Sequence, residues 1–192
     1  MQHVIRRPKR TLAALAVALA ATAVAIGTRA DFSAQSTNPS NVFSAGTLAM
    51  TNSAAGAAVF SPSNMKPGAP DQTGIVDIQN SGSLAGGVSL SRDSVAVTDA
   101  GAAEDGGSMD RKVDLTVTDC GAFAGATAPD CAKGATVYQG TLADMPSTAL
   151  GTFAAGDRHR YLFAAHLDGS TGNSYRGDSV SARFVWDAVQ TP

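Results

Sequence analysis

Apolar and polar residues alternate along several short stretches of the chain, which is the spacing of a half-buried β-strand. The clearest stretch is KVDLTVT, where Val113, Leu115 and Val117 share one face and polar residues occupy the other. VSARFVWDA and RYLFAAHL repeat this alternation, and GTLAMTN, GIVDIQN, GGVSLS and TVYQGTL are shorter examples. The body of the chain offers no long stretch of helical periodicity. The pattern therefore predicts a series of short strands.

Residues typical of turns separate these predicted strands. The connecting stretches include KPGAP, NSGS, DAGAAEDGG and DGSTGNS, which are rich in the residues that tight turns prefer. Many short strands joined in this way, without helices between them, favour an antiparallel sandwich over a parallel α/β fold. We therefore predict an all-β fold class, with a single antiparallel β-sandwich over residues 44–192 and no second domain.

The first thirty residues follow a different pattern. Four basic residues lie between positions 6 and 10, and an uncharged, alanine-rich run of 17 residues follows. A basic head, an apolar middle and small residues near Ala30 are typical of a secretory signal peptide, and the run is short for a membrane-spanning helix, which needs about 20 apolar residues. We predict cleavage between Ala30 and Asp31, so that residues 1–30 are the only part to meet the membrane, and only before cleavage.

Removal of this segment changes the charge of the protein. Five of the 14 Lys and Arg residues lie within residues 1–30 and all 16 acidic residues lie beyond it, so nine basic side chains face 16 acidic ones at a net charge of −7. A chain this acidic, with no basic cluster, is a poor binder of nucleic acid. We therefore expect no nucleic-acid partner and a surface charge that favours solubility.

The two cysteines, Cys120 and Cys131, lie in the segment DCGAFAGATAPDC. An isolated pair in an exported chain indicates a disulfide. A redox pair and a pair of metal ligands are the alternatives, but the segment lacks the C-x-x-C spacing that both favour. We predict a structural disulfide.

Candidates for catalytic chemistry are sparse. His159 and His166 are separated by seven residues on a predicted strand, so their side chains should point to opposite faces. Glu104 is the only glutamate, and no H-E-x-x-H motif is present. The chain also lacks a G-x-S-x-G elbow and a nucleotide-binding fingerprint. We therefore expect no catalytic residue, no metal site and no cofactor.

Two other groups of residues allow a functional interpretation. Residues 99–110 carry several carboxylates, which are suitable ligands for calcium, but they lack the spacing of an EF-hand, and a solvated loop is the simpler interpretation. Phe184 and Trp186 are able to stack on a carbohydrate, yet the alternation places them on the same face as Val180 and Ala182. That placement favours the core.

The stretch GTRADFSAQSTNPSNVFSAGTLAM resembles the cleavage junction of the TasA/camelysin family. These are exported proteins of Gram-positive bacteria whose signal peptides are cut by a SipW-type signal peptidase. The family pattern is matched by Gly27, Thr28, Ala30, Phe32 and the AGTL of residues 45–48. SNMKPG, NSGSLA and YRGDSVSARFVWDAVQ resemble further blocks of the family, whereas the segment around the two cysteines departs from its pattern.

The resemblance implies a jelly-roll β-sandwich and a fibre-forming role in the extracellular biofilm matrix. In the family, the mature N-terminal segment pairs as a strand with a neighbouring subunit. The matching segment here, residues 31–43, is called the N-terminal arm below. It begins at Asp31 and carries Phe32, Val42 and Phe43 among polar residues, so it cannot bury itself but can add to an exposed sheet edge. A mature N-terminus without fixed structure is the alternative.

Three functions follow as hypotheses. The resemblance implies a secreted structural protein whose partners are copies of itself and, during export, the SipW-type peptidase. A monomeric cell-surface module that binds a glycan or a protein is the second hypothesis. A metallopeptidase is the third, because camelysin-like relatives carry that label, although the sequence offers no recognisable zinc motif.

Overall fold

The computed structural model describes residues 46–100 and 107–191. The predicted cleavage site and the N-terminal arm lie outside these ranges, as does part of the acidic stretch 99–110. The described residues form strands joined by loops and single 3₁₀ turns. The strands are β1 (Met50–Asn52), β2 (Gln72–Asn80), β3 (Gly86–Thr98), β4 (Val113–Ala122), β5 (Ala135–Thr141), β6 (Thr148–Phe153), β7 (Arg158–Leu167) and β8 (Ser179–Gln190).

The strands form two sheets with antiparallel pairing throughout. The first sheet has five strands in the order β1-β2-β7-β4-β5, and the second has three in the order β6-β3-β8. The chain passes repeatedly from one sheet to the other, because β3, β6 and β8 each follow a strand of the first sheet. The all-β sandwich predicted from alternation and turn chemistry is confirmed.

The core lies between the sheets, on the faces that the alternation indicates. The inward positions of β4 and β7 are buried along most of their length. These residues are Val113, Leu115, Val117, Tyr161, Phe163, Ala165 and Leu167. From the second sheet, Trp186 packs on Tyr161 and Phe184 packs on Phe163, in both cases with ring centroids 4.9 Å apart. Phe184 and Trp186 therefore contribute to the core.

A disulfide joins Cys120 to Cys131, with its two sulfur atoms 2.01 Å apart. It closes the loop that follows β4. The guanidinium of Arg158, at the start of β7, lies 4.2 Å from the centroid of the Phe123 ring and donates a hydrogen bond of 2.6 Å to the carbonyl oxygen of Gly125. The disulfide and Arg158 together hold this loop against the first sheet.

The segment between β1 and β2, residues 53–71, has no strand or helix and is called the connecting segment below. At its start, the backbone N–H of Ser53 donates to the carbonyl of Asp77 at 3.0 Å, and the Ser53 hydroxyl accepts from the N–H of Asp77 at 2.8 Å. Near its end, the N–H of Gly68 donates to the carbonyl of Leu167 at 3.0 Å. Both ends are therefore fixed to the first sheet.

The middle of the connecting segment approaches β2 at Gly74. A Cβ atom at this position would lie 2.2 Å from the carbonyl oxygen of Val59, so the close approach needs glycine. Val59, Phe60 and Met65 of the segment are half-buried and pack against the core. An irregular segment therefore covers part of the sandwich where a further strand is lacking among the described residues.

Candidate functional site

A cleft of about 1300 Å³ lies beside β8, between the two sheets. β8 borders it on one side with residues 179–184 and Trp186, and the connecting segment borders it on the other with residues 54–67. Apolar core residues and the loop before β8, including residues 171–173 and 175–178, form the rest of the lining. The core residues include Met109, Val113, Leu115, Leu142, Ala165 and Leu167.

β8 has one paired edge and one free edge within the described part of the chain. β3 pairs with it from Ser179 to Gln190, and no described strand pairs with its other edge, because β8 is the last strand in the order β6-β3-β8. The N–H and C=O groups along a free edge form a template on which another strand can pair. The cleft is therefore bordered by an open sheet edge.

The apolar face of β8 is incompletely covered where it borders the cleft. Val180, Ala182 and Phe184 point toward the core but are only half-buried, whereas Leu115 and Ala165 on the facing sheet are each 1% exposed. Among the described residues, no strand lies beside this edge of β8, which accounts for the difference. An added strand at this edge would cover these three side chains.

The loop before β8 borders a part of the cleft that we call its polar end, and two side chains of this loop have polar atoms without a described hydrogen-bond partner. Thr171 is 8% exposed, and its Oγ1 is buried and unpartnered within the described ranges. Asp178 accepts a 2.8 Å hydrogen bond from the N–H of Ala100 through Oδ1, while its Oδ2 is buried without a described partner. Both residues line the cleft. Leaving such a group unsatisfied costs about 1–3 kcal/mol, so this end is suited to a hydrogen-bond donor.

Basic side chains also line the cleft. Lys66 and Arg176 are exposed at its rim, and Arg183 forms an ion pair with Asp93 of β3. The charged lining of the cleft therefore combines one carboxylate, that of Asp178, with basic groups that remain in contact with solvent.

The two histidines lie on opposite faces of β7, as their spacing predicts. His159 points inward, and its Nδ1 lies 3.0 Å from a carboxylate oxygen of Asp119. His166 points outward, with Nδ1 3.3 Å from Asp71 and Nε2 3.3 Å from Asp114. In residues 46–100 and 107–191, no group of three or more His, Cys, Asp or Glu side chains is arranged to hold a metal ion. Neither histidine lines the cleft.

Of the residues predicted from the sequence for cleavage, assembly or a disulfide, only the two cysteines lie in the described ranges. The residues predicted for cleavage and assembly, namely Ala30, Asp31, Phe32, Val42 and Phe43, lie outside the described ranges, and these predictions remain predictions. Cys120 and Cys131 are joined but lie away from the cleft. Period-two alternation shows which face of a strand is buried and does not show whether each edge has a neighbour, so it did not reveal the cleft.

One signal in the sequence does indicate an unusual region. Residues 53–71 lack strand alternation over a length at which loops in compact domains are uncommon and usually functional. The unpartnered groups of Thr171 and Asp178 had no comparable signal, because their isolation depends on tertiary packing.

The sequence matches the family described as camelysin metallo-endopeptidase over residues 7–192. This span includes both sheets and the cleft. No curated protein matches the chain. Within the described ranges, no helix has the length and apolar character that crossing a membrane requires.

Proposed function

The chain belongs to the camelysin metallo-endopeptidase family, and we propose that it is a secreted structural protein of the extracellular biofilm matrix that self-assembles into fibres. In this proposal, a SipW-type peptidase removes residues 1–30 during export. The N-terminal arm of one copy then adds as a strand to the free edge of β8 in a neighbouring copy. Repetition of this contact from copy to copy produces a fibre.

The observation that carries the proposal is the free edge of β8 beside an apolar cleft. Strand addition to an exposed edge supplies main-chain hydrogen bonds, and pockets beside the edge supply specificity for the side chains. An arm at this edge would satisfy the unpaired backbone groups of β8. It would also cover the half-buried Val180, Ala182 and Phe184.

The length of the arm suits this role. The described chain begins next to the turn before β3, where the N–H of Thr47 donates to the hydroxyl of Ser83 at 2.9 Å. The fifteen residues from position 31 to position 45 reach about 50 Å when extended. β8, with 12 residues, is about 40 Å long. The arm is therefore long enough to follow the edge of another copy.

The free energy expected from one arm is small enough that a single copy could bind and dissociate reversibly. Burial of the Phe32 side chain is worth about 1.5–3 kcal/mol, which is too little for tight binding. Main-chain pairing along the arm must supply the remainder. Before cleavage, the signal segment tethers the arm to the membrane, so processing would also control the start of assembly.

The test is electron microscopy of two forms of the protein: the mature chain, residues 31–192, and the same chain without the arm. We expect filaments from the first and dispersed particles from the second. Circular dichroism and thermal unfolding serve as controls, because removal of the arm should leave the folded domain intact. Filaments from the shortened chain would contradict the proposal.

A monomeric cell-surface module is the second candidate, and the cleft itself favours it, because an apolar recess with a few polar groups is also typical of a binding site. The two functions predict a different dependence of oligomeric state on protein concentration. A binding module stays monomeric at high concentration in analytical ultracentrifugation, whereas the fibre-forming protein sediments as larger species.

A further inference from the structure

We propose that the polar end of the cleft binds the α-ammonium group that signal-peptide cleavage creates at Asp31. This inference rests on the proposed function, since it requires the N-terminal arm to enter the cleft. It goes further because it assigns a ligand to Asp178 and Thr171 and fixes the direction of the arm.

The chemistry of the two acceptors selects the ligand. The Oδ2 atom of Asp178 and the Oγ1 atom of Thr171 are both buried and have no described hydrogen-bond partner. A group that satisfies both must donate more than one hydrogen bond, and a positive charge would compensate the carboxylate. A primary ammonium meets these requirements, because it is compact and has three N–H donors.

The basic side chains at the rim of the cleft complement the side-chain carboxylate of Asp31. Lys66 and Arg176 line the cleft and are exposed, so water and salt weaken their repulsion of an ammonium group. The side-chain carboxylate of Asp31 lies beside its own α-ammonium and would face these cations. The recognised group is therefore an N-terminal acidic residue with a free amine.

The position of Asp178 sets the direction of the arm. Asp178 comes directly before β8, so an arm that places Asp31 there runs parallel to β8, from Ser179 toward Gln190. Phe32 then lies near Val180 and Ala182, the half-buried apolar residues at the start of the strand.

The length of the cleft agrees with this register. β8 borders the cleft from Ser179 to Trp186, which is eight residues of strand. The first eight residues of the arm, 31–38, precede Pro39. Proline has no N–H to donate and is disfavoured within a paired strand, so pairing should end where the cleft ends.

Cleavage then creates the ligand as well as releasing the arm. In the uncut chain, the nitrogen of Asp31 belongs to the amide bond with Ala30, is neutral and has one N–H. Only the cut chain offers an ammonium. A chain that starts at another residue would place its amine out of register with Asp178.

The test measures binding of a synthetic peptide of residues 31–43 to the mature protein, held below the concentration at which it assembles. The peptide carries a fluorophore at its C-terminus and is prepared with a free or an acetylated amine. We expect the free amine to bind at least about tenfold more tightly, as for one hydrogen bond to a charged group. Asp178→Asn should abolish this preference while keeping an oxygen for the N–H of Ala100.

Asp187→Asn is the matched control. It removes the same charge from within β8, is exposed and does not line the cleft, so the preference for the free amine should persist. Thr171→Val should weaken binding of the free-amine peptide and Thr171→Ser should restore it. Thermal unfolding of each variant establishes that the domain remains folded.

Three other results would each contradict the assignment of an ammonium site to Asp178. Equal affinity of the two peptides, failure of both to bind, or an equal loss for both in Asp178→Asn would exclude an ammonium site at Asp178. The proposed function is judged separately by deletion of the arm: equal peptide affinities together with loss of filaments on deletion would leave strand exchange in place and remove only the ammonium site.

Discussion

A bidentate ion pair between Asp77 and Arg160 joins the neighbouring strands β2 and β7 of the first sheet. The Nε and Nη2 groups of Arg160 donate to the two carboxylate oxygens of Asp77 at 2.7 and 2.8 Å, and both side chains are largely buried. These bonds to the guanidinium hold the pKa of Asp77 below its usual value, and the carboxylate raises the pKa of Arg160. Bidentate pairs of arginine and carboxylate are among the stronger charge-assisted hydrogen bonds.

We expect Asp77→Asn to lower the free energy of unfolding by about 1–2 kcal/mol at pH 7. Because the folded protein has the lower pKa at this carboxyl, its contribution is present above the unfolded pKa of about 3.9 and is lost as the pH falls from there through the folded pKa. Urea unfolding of the native protein and the variant should therefore show a constant difference in stability from pH 7 to about pH 5 and a shrinking difference below about pH 4. A difference that stays unchanged below about pH 4 would show that the charge pair is not the cause, and Asp187→Asn, at an exposed position, is the control.

Burial acts on a second residue in this region. Tyr161 is completely buried, and removal from water raises the pKa of its hydroxyl well above the usual value, with a further contribution from the charge of Asp119. The ring packs on Trp186. Burial therefore favours the neutral form of Tyr161 in the core.

Among the elements, the connecting segment depends on a single glycine of β2. A Cβ atom at Gly74 would lie 2.2 Å from the carbonyl oxygen of Val59, which is backbone and cannot rotate away. We expect Gly74→Ala to displace the segment and to lower the free energy of unfolding by about 1–3 kcal/mol. Limited proteolysis should then cut within residues 54–67.

Gly87→Ala is the control for this prediction. Gly87 is also a strand glycine, but the nearest neighbours of an added Cβ atom lie 3.8 Å away. Equal stability loss and equal proteolysis in the two variants would show that the cost comes from glycine replacement in a strand and not from the approach of Val59.

The loop closed by Cys120 and Cys131 is a second element with a measurable contribution. Replacement of both cysteines by serine should lower the free energy of unfolding by about 3 kcal/mol at most, because the unfolded chain regains the freedom of the loop. The loop does not line the cleft, so filament formation should persist. Mass spectrometry of the non-reduced protein measures the bond directly, and two free thiols would contradict it.

The elements differ in how far the sequence predicts them. β4, β7 and β8 follow directly from alternation, since each buries one face against the core, and Val113, Leu115 and Val117 on β4 illustrate this. The order of the strands and the free edge of β8 do not follow, because pairing depends on which strands meet in space and alternation carries no information about it. β1 is shorter than GTLAMTN predicts, since only Met50–Asn52 pairs with β2. The polar end of the cleft, with Thr171 and Asp178, was beyond prediction for the same reason.

For the whole molecule, the central prediction concerns Phe32. We expect Phe32→Ala in the mature chain to weaken association between copies by about ten- to a hundredfold, which corresponds to the loss of about 1.5–3 kcal/mol of aromatic burial. The critical concentration for filaments, measured by sedimentation, should rise accordingly. The melting temperature of the dispersed protein should stay nearly unchanged, and a large fall would show that Phe32 belongs to the folded domain instead.

A second prediction for the whole molecule concerns hydrolysis. We propose that the protein has no peptidase activity, in spite of the family description, because His159 and His166 lie on opposite faces of β7 and contact different carboxylates. Purified mature protein should leave casein intact with and without added zinc. Hydrolysis that survives His159→Ala and stops with a chelator would reveal a metal site elsewhere.

The pairing of β3 with β8 has a consequence for the order in which the protein acquires its shape. β3 meets β6 only over Gly86–Leu90, and the rest of the second sheet depends on β8, the last of the described strands. In the export that we propose, β8 would cross the membrane after the other described strands, so the second sheet could not close until Ser179–Gln190 had emerged. Pairing between such distant segments is slow compared with local contacts. The edge of β8 that we propose as the receptor would therefore form only once β8 has emerged, and a chain that stalls before that point would instead expose the edge of β3 that β8 covers.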